Sequence, residues 1–104
     1  MAPLSEINID EYRNDPESFM LLYLHLNGCK SCAEFKPVVE SMEEVFPEIE
    51  FREMQIHSLN ELPLFAPPAM PSLILFVGGY RVNEFHGITN SRGQLKEVIK
   101  SWVL

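Results

Sequence analysis

Cys29 and Cys32 are the chain's two cysteines, and only Lys30 and Ser31 separate them. Sulfur at this spacing offers several chemistries. As a structural staple the pair would close a loop so short that the chain-entropy gain is only about 2 kcal/mol. A chain of this length can bury a core without such help. As metal ligands the two sulfurs would need partners, and His25, His57 and His86 are scattered with no second C-x-x-C and no H-x-x-x-H pair. Inert buried thiols are a third reading. The fourth is a reversible dithiol, in which one sulfur is held as thiolate and a second lies within bonding reach.

The fourth reading makes a demand on local structure. Unpaired N–H groups at a helix N-terminus favour negative charge, so a redox pair belongs at the head of a helix. The sequence supplies that setting. Phe19 to Leu26 (FMLLYLHL) is almost continuously apolar, as a strand buried on both faces reads. After Asn27 and Gly28 come the cysteines, followed by Phe35, Val38, Val39, Met42 and Val45 at the spacing of one helix face, with Pro47 as the stop. Cys29 then captures a substrate disulfide, and Cys32, one turn later, resolves it. Lys30 adds a positive charge beside the pair, weakened by solvent screening.

The remaining elements follow from the same signals. Ile49 to Ile56 predicts a second strand, with a change of phase between Phe51 and Met54 that suggests a bulge or a displaced end. Ser58 and Glu61 have capping-box spacing for a short helix bounded by Pro63 and Pro67–Pro68. Ser72 to Val77 predicts another buried strand, Gly78–Gly79 a two-residue turn, and Tyr80 to Phe85 an antiparallel return. Ser91 with Gln94 caps a final helix whose stripe is Leu95, Val98, Ile99, Trp102 and Val103. Ahead of Phe19, the acidic stretch with Ile7, Ile9 and Tyr12 reads as a short strand or helix. The order predicts an α/β chain with a central mixed sheet of four to five strands and helices on both faces, in a single domain over 1–104.

Composition excludes some partners. Fifteen acidic against eight basic residues give a formal charge of −7, which repels phosphate backbones and anionic lipid surfaces. Neither nucleic acid nor a membrane is expected as a partner, and no export or anchoring signal is read at the N-terminus. The acidic face of Glu40, Glu43, Glu44 and Glu48 reads as solvated helix surface. His57 and His86 read as ordinary surface or loop residues, and Trp102 as packing.

From Met20 onward the chain resembles the thioredoxin family. The resemblance rests on an ordered set: the buried strand, Cys29-Lys30-Ser31-Cys32 at a helix head, Pro37 five residues further on, Met70-Pro71 before a strand, the Gly78-Gly79 turn, Gly87, and Ser91-Arg92-Gly93-Gln94-Leu95 opening the last helix. It implies a thioredoxin fold and catalytic roles for Cys29 and Cys32. It also implies a substrate groove formed by Met70, Pro71 (with a cis peptide bond) and Gly87, and a kink at Pro37. No cofactor is implied beyond the redox-active Cys29–Cys32 disulfide, and no metal.

The chain departs from the family in three places. Gly28 stands where the family usually has Trp, Lys30-Ser31 where it has Gly-Pro, and Tyr23 where it buries an aspartate that accepts the second cysteine's proton. Strand alternation puts His25 on the same face as Tyr23, toward the dithiol, so His25 is the candidate to lower the Cys29 pKa or relay the Cys32 proton. The expected activity is cytoplasmic protein-disulfide reduction by a monomer, with a thioredoxin-reductase-like electron donor and disulfide-containing proteins as substrates. Two alternatives are a glutaredoxin-like, glutathione-dependent reductase and a thioredoxin-fold binding module with vestigial cysteines.

Overall fold

In a computed structural model, the structure describes residues 2–3, 17–56, 71–78, 80–86 and 92–103. The element order is β1 (Ala2–Pro3), β2 (Phe19–Leu26), α1 (Lys30–Glu40), α2 (Met42–Val45), β3 (Glu50–Ile56), β4 (Ser72–Val77), β5 (Tyr80–His86) and α3 (Arg92–Val103). The strands form one mixed sheet in the order β1-β3-β2-β4-β5. β2 lies in the middle, parallel to β3 and antiparallel to β4. This explains its composition: both edges are paired and both faces covered, so nearly every side chain must be apolar.

Two apolar layers flank the sheet. One joins Leu21, Tyr23, Phe51, Leu73 and Leu75 to Phe35, Val39 and Met42 of the first two helices and to Leu95 and Ile99 of α3. The other gathers Met20, Leu22, Leu24, Ile56, Ile74 and Phe76 on the opposite face. Each fully buried side chain of this kind contributes roughly 1.5–3 kcal/mol. The described helices all pack on the first face. The helix expected from Ser58 lies outside the described residues, as do the caps at Ser91 and the segment carrying Ile7, Ile9 and Tyr12. No described helix is long and apolar enough to cross a membrane.

Two expectations need correction. The helix after the cysteines does not run unbroken to Val45: α1 ends at Glu40, α2 begins at Met42, and Val45 is exposed while Phe46 fills the core instead. Of the bulge or displaced end expected in β3, the bulge is absent, because β2 and β3 stay in register from Met20↔Glu50 to Leu26↔Ile56, and the strand begins at Glu50, one residue later than expected. Phe51 and Met54 face opposite layers simply because alternation separates odd from even positions. The irregularity instead falls between β4 and β5, at Leu75/Phe76. At the tip of that hairpin Gly78 takes a φ of +60°, which only glycine adopts without strain. At the far edge, Ala2–Pro3 adds a short parallel strand to β3 that the sequence pattern did not reveal.

Candidate active site: a dithiol at a helix head

The chain leaves β2 through a turn that fixes where the cysteines fall. The Asn27 N–H bonds to the Ile56 carbonyl at 3.0 Å, tying the turn to the end of β3, and the Cys29 N–H bonds back to Leu26 at 3.2 Å. Gly28 sits at φ +76°. A Cβ there would meet nothing within 4 Å, so the backbone angle alone is what demands glycine. The turn delivers Cys29 as the N-cap of α1, in extended conformation at φ −82° and ψ 110°.

The two sulfurs form a disulfide with a Cα–Cα separation of 5.2 Å. Their surroundings differ. Cys29 is partly exposed, whereas Cys32 is 3% exposed. The Cys32 N–H donates to Cys29 Sγ at 3.1 Å, and Ser31 Oγ lies 3.3 Å from the same sulfur. In this oxidised form Sγ is a disulfide sulfur. In the reduced form it would be the thiolate, and the same donors would stabilise its charge. Among the described residues no group of three or more His, Cys, Asp or Glu side chains converges as metal ligands do.

Below the dithiol, β2 contributes Tyr23 and His25. Tyr23 is buried and its hydroxyl donates to the Cys32 carbonyl, clamping the first turn of α1 to the sheet. Burial first, then the charges of Glu53 and Glu40, push the Tyr23 pKa up to about 12. His25 stacks on Tyr23, with ring centroids 5.4 Å apart and planes 18° from parallel. Its Nε2 is 3.6 Å from Glu53 Oε1, while Lys36 Nζ reaches the same carboxylate oxygen at 3.3 Å. Burial lowers the His25 pKa and Lys36 lowers it further, against the opposing pull of Glu53. Together His25, Tyr23, both cysteines, Lys30 and Lys36 border an open cleft of about 420 Å³. Lys30 itself is exposed at the helix start.

The structure thus brings Cys29, Cys32, Lys30 and His25 to one place. Pro71 is buried immediately ahead of β4, whose first residue, Ser72, pairs with Leu24. That puts Pro71 at the dithiol end of the sheet. Met70 and Gly87, expected in the substrate groove, lie outside the described residues. Pro37 does sit inside α1, and both it and Ala33, whose carbonyl it leaves without the usual N–H, are exposed.

Two features escaped the sequence. Glu53 is the carboxylate shared by His25 and Lys36, and strand pairing opposite Tyr23 would have placed it on the right face. His86, read as an ordinary surface residue, has Nδ1 2.9 Å from Oγ of the fully buried Ser72 and Nε2 3.1 Å from Glu84. Only the β4–β5 register reveals that contact.

No family profile and no curated protein sequence matches the chain. Solved structures do. A thioredoxin from Fasciola hepatica superposes with a TM-score of 0.79 at 21% identity, covering 97% of this chain and 98% of that one. A mutant thioredoxin from Halobacterium salinarum gives a TM-score of 0.77 at 22% identity, over 97% of this chain and 88% of that one. At such identities the likeness is one of fold: the chain has the thioredoxin fold.

Proposed function

We propose that the protein is a thiol–disulfide oxidoreductase that reduces protein disulfides through Cys29 and Cys32. One observation carries the reading: an accessible sulfur caps an eleven-residue helix and is bonded to a nearly inaccessible sulfur one turn away. An accessible sulfur can meet a substrate, and a sheltered neighbour can only attack what its partner has captured.

The exchange proceeds in two displacements. Cys29 thiolate attacks one sulfur of the substrate disulfide; a Cys29–substrate bond forms, the substrate S–S bond breaks, and the first substrate sulfur leaves as thiolate to be protonated. Cys32 then loses its proton and attacks Cys29 Sγ, forming the internal disulfide and expelling the second substrate thiolate. Two electrons and two protons pass from the dithiol to the substrate. A thioredoxin-reductase-like donor would return them in a reducing compartment such as the cytoplasm.

The Cys32 proton needs an acceptor. Tyr23 does not suit the task, because a phenol pushed up to about 12 stays protonated at neutral pH. His25 suits it: a lowered pKa keeps the imidazole neutral there, with a nitrogen lone pair for the proton. The fold's reputed groove at Met70, Pro71 and Gly87 would hold the substrate backbone.

The test uses an insulin-like disulfide substrate with dithiothreitol. The wild-type chain should accelerate reduction, Cys29→Ser should not, and Cys32→Ser should accumulate a mixed disulfide through Cys29 on a non-reducing gel. Equal rates for wild type and Cys29→Ser would make the cysteines vestigial and leave a binding module.

A further inference from the structure

Among the described residues, the charge lining the dithiol cleft is opposite in sign to that of the chain as a whole. Acidic residues outnumber basic ones 15 to 8, yet among the described residues no Asp or Glu lines the cleft beside the sulfurs, whose polar border is His25, Asn27, Lys30, Lys36 and Gln55. The first turn of α1 holds no acid. Exposed Glu34 lies on that helix but does not border the cleft. Toward the other end of α1 and beyond it, Glu40, Glu44 and Glu48 are exposed around α2 and the turn after it. Behind the cleft, Glu53 is engaged by Lys36 at 3.3 Å, a contact that uses one of three ammonium N–H groups.

We propose that this cleft selects disulfides flanked by carboxylates. The inference rests on the exchange reading above and adds the substrate class to it. As Cys29 attacks, substrate groups one or two positions from the reacting sulfur come beside Lys30 and over the cleft toward Lys36. A carboxylate there meets a local cationic surface, and a substrate ammonium meets repulsion. The carboxylate could belong to an acidic side chain beside the substrate cysteine or to a small acidic thiol such as glutathione joined to it. At roughly 6 Å and an effective dielectric between ~40 and ~80, one such pair changes the rate about 3- to 10-fold. The overall negative charge opposes this only at long range, where salt screens it.

The experiment compares second-order rates of the reduced protein with four peptide disulfides of one length: Glu-flanked, Lys-flanked, neutral, and neutral but capped by glutathione. The ratio of each rate to the neutral one is read, so that any change in Cys29 reactivity cancels. The Glu-flanked or glutathione-capped peptide, or both, should react about 3- to 10-fold faster than the neutral one at low salt. Which of the two does so identifies the source of the carboxylate. The preference should shrink in Lys30→Gln and collapse at 1 M salt, while Lys96→Gln on exposed α3 should keep it. Equal rates for all four, or a preference for the Lys-flanked peptide, would overturn the inference and leave the exchange reading standing. Absence of reaction with every peptide would overturn both.

Discussion

Two histidines on the same sheet show how differently one residue type is used. His86, at the end of β5, has both ring nitrogens engaged: Nδ1 with Ser72 Oγ at 2.9 Å and Nε2 with Glu84 at 3.1 Å. A carboxylate only accepts, so the neutral ring donates from Nε2 and accepts the serine hydroxyl at Nδ1. His25, on β2, is stacked on Tyr23 and lies 3.6 Å from Glu53, at the edge of the cleft that holds the sulfurs. Burial is the largest cause lowering the pKa in both, with Arg81 adding to it at His86. The shift alone therefore does not distinguish them; the partners do. A ring with both nitrogens committed holds structure, whereas a ring on an open cleft beside a dithiol can move a proton.

Substitutions should separate the two roles. The largest effect is expected from His25→Leu. Removing a general base costs on the order of 100-fold in the step it serves, here the resolving attack of Cys32. The sign of the pH dependence follows from the lowered pKa: wild-type His25 is a competent base above its folded pKa and fails as pH falls through it, on the acid side of 6.5. The variant should lose that acid limb. Stopped-flow resolution of the mixed disulfide across pH would read it, and an unchanged profile with an unchanged rate would remove His25 from the mechanism.

A smaller effect is expected at the other site. His86→Leu takes a hydrogen-bond partner from the buried Ser72 hydroxyl and should cost about 1–2 kcal/mol of stability, seen as a lower urea midpoint with the exchange rate per folded molecule preserved. For wild type, the unfolded chain binds a proton at each histidine near 6.5 while the folded chain resists it. Stability should therefore be full above that pH and decline as pH falls below it. In His86→Leu part of that decline should disappear, and a rate loss equal to that of His25→Leu would erase the contrast drawn here.

Much of this was legible in the chain. The continuous apolar run of β2, the helix spacing from Phe35 to Met42 and the stripe of α3 each follow from local periodicity and lie where expected, whereas Val45 is exposed beyond the break. The dithiol at a helix head was legible because cysteine spacing, Gly28 and the preceding strand are all local signals. What escaped was non-local. Glu53 and Ser72–His86 depend on strand register, and register is set by which strands become neighbours, which no single window shows. The break at Ser41 escaped for a different reason: its hydroxyl bonds to the Val38 carbonyl at 2.6 Å, a local alternative to continued helix that apolar spacing does not register.

The most direct measurement is the equilibrium of Cys29 and Cys32 across a series of glutathione redox buffers, read by alkylation and mass. The account predicts one cooperative two-electron transition between a doubly alkylated and an unalkylated chain, with glutathione trapped on Cys29 when Cys32 is replaced by serine. Two thiols alkylated independently in every buffer, or no glutathione trapped on Cys29 in the Cys32→Ser chain, would contradict it.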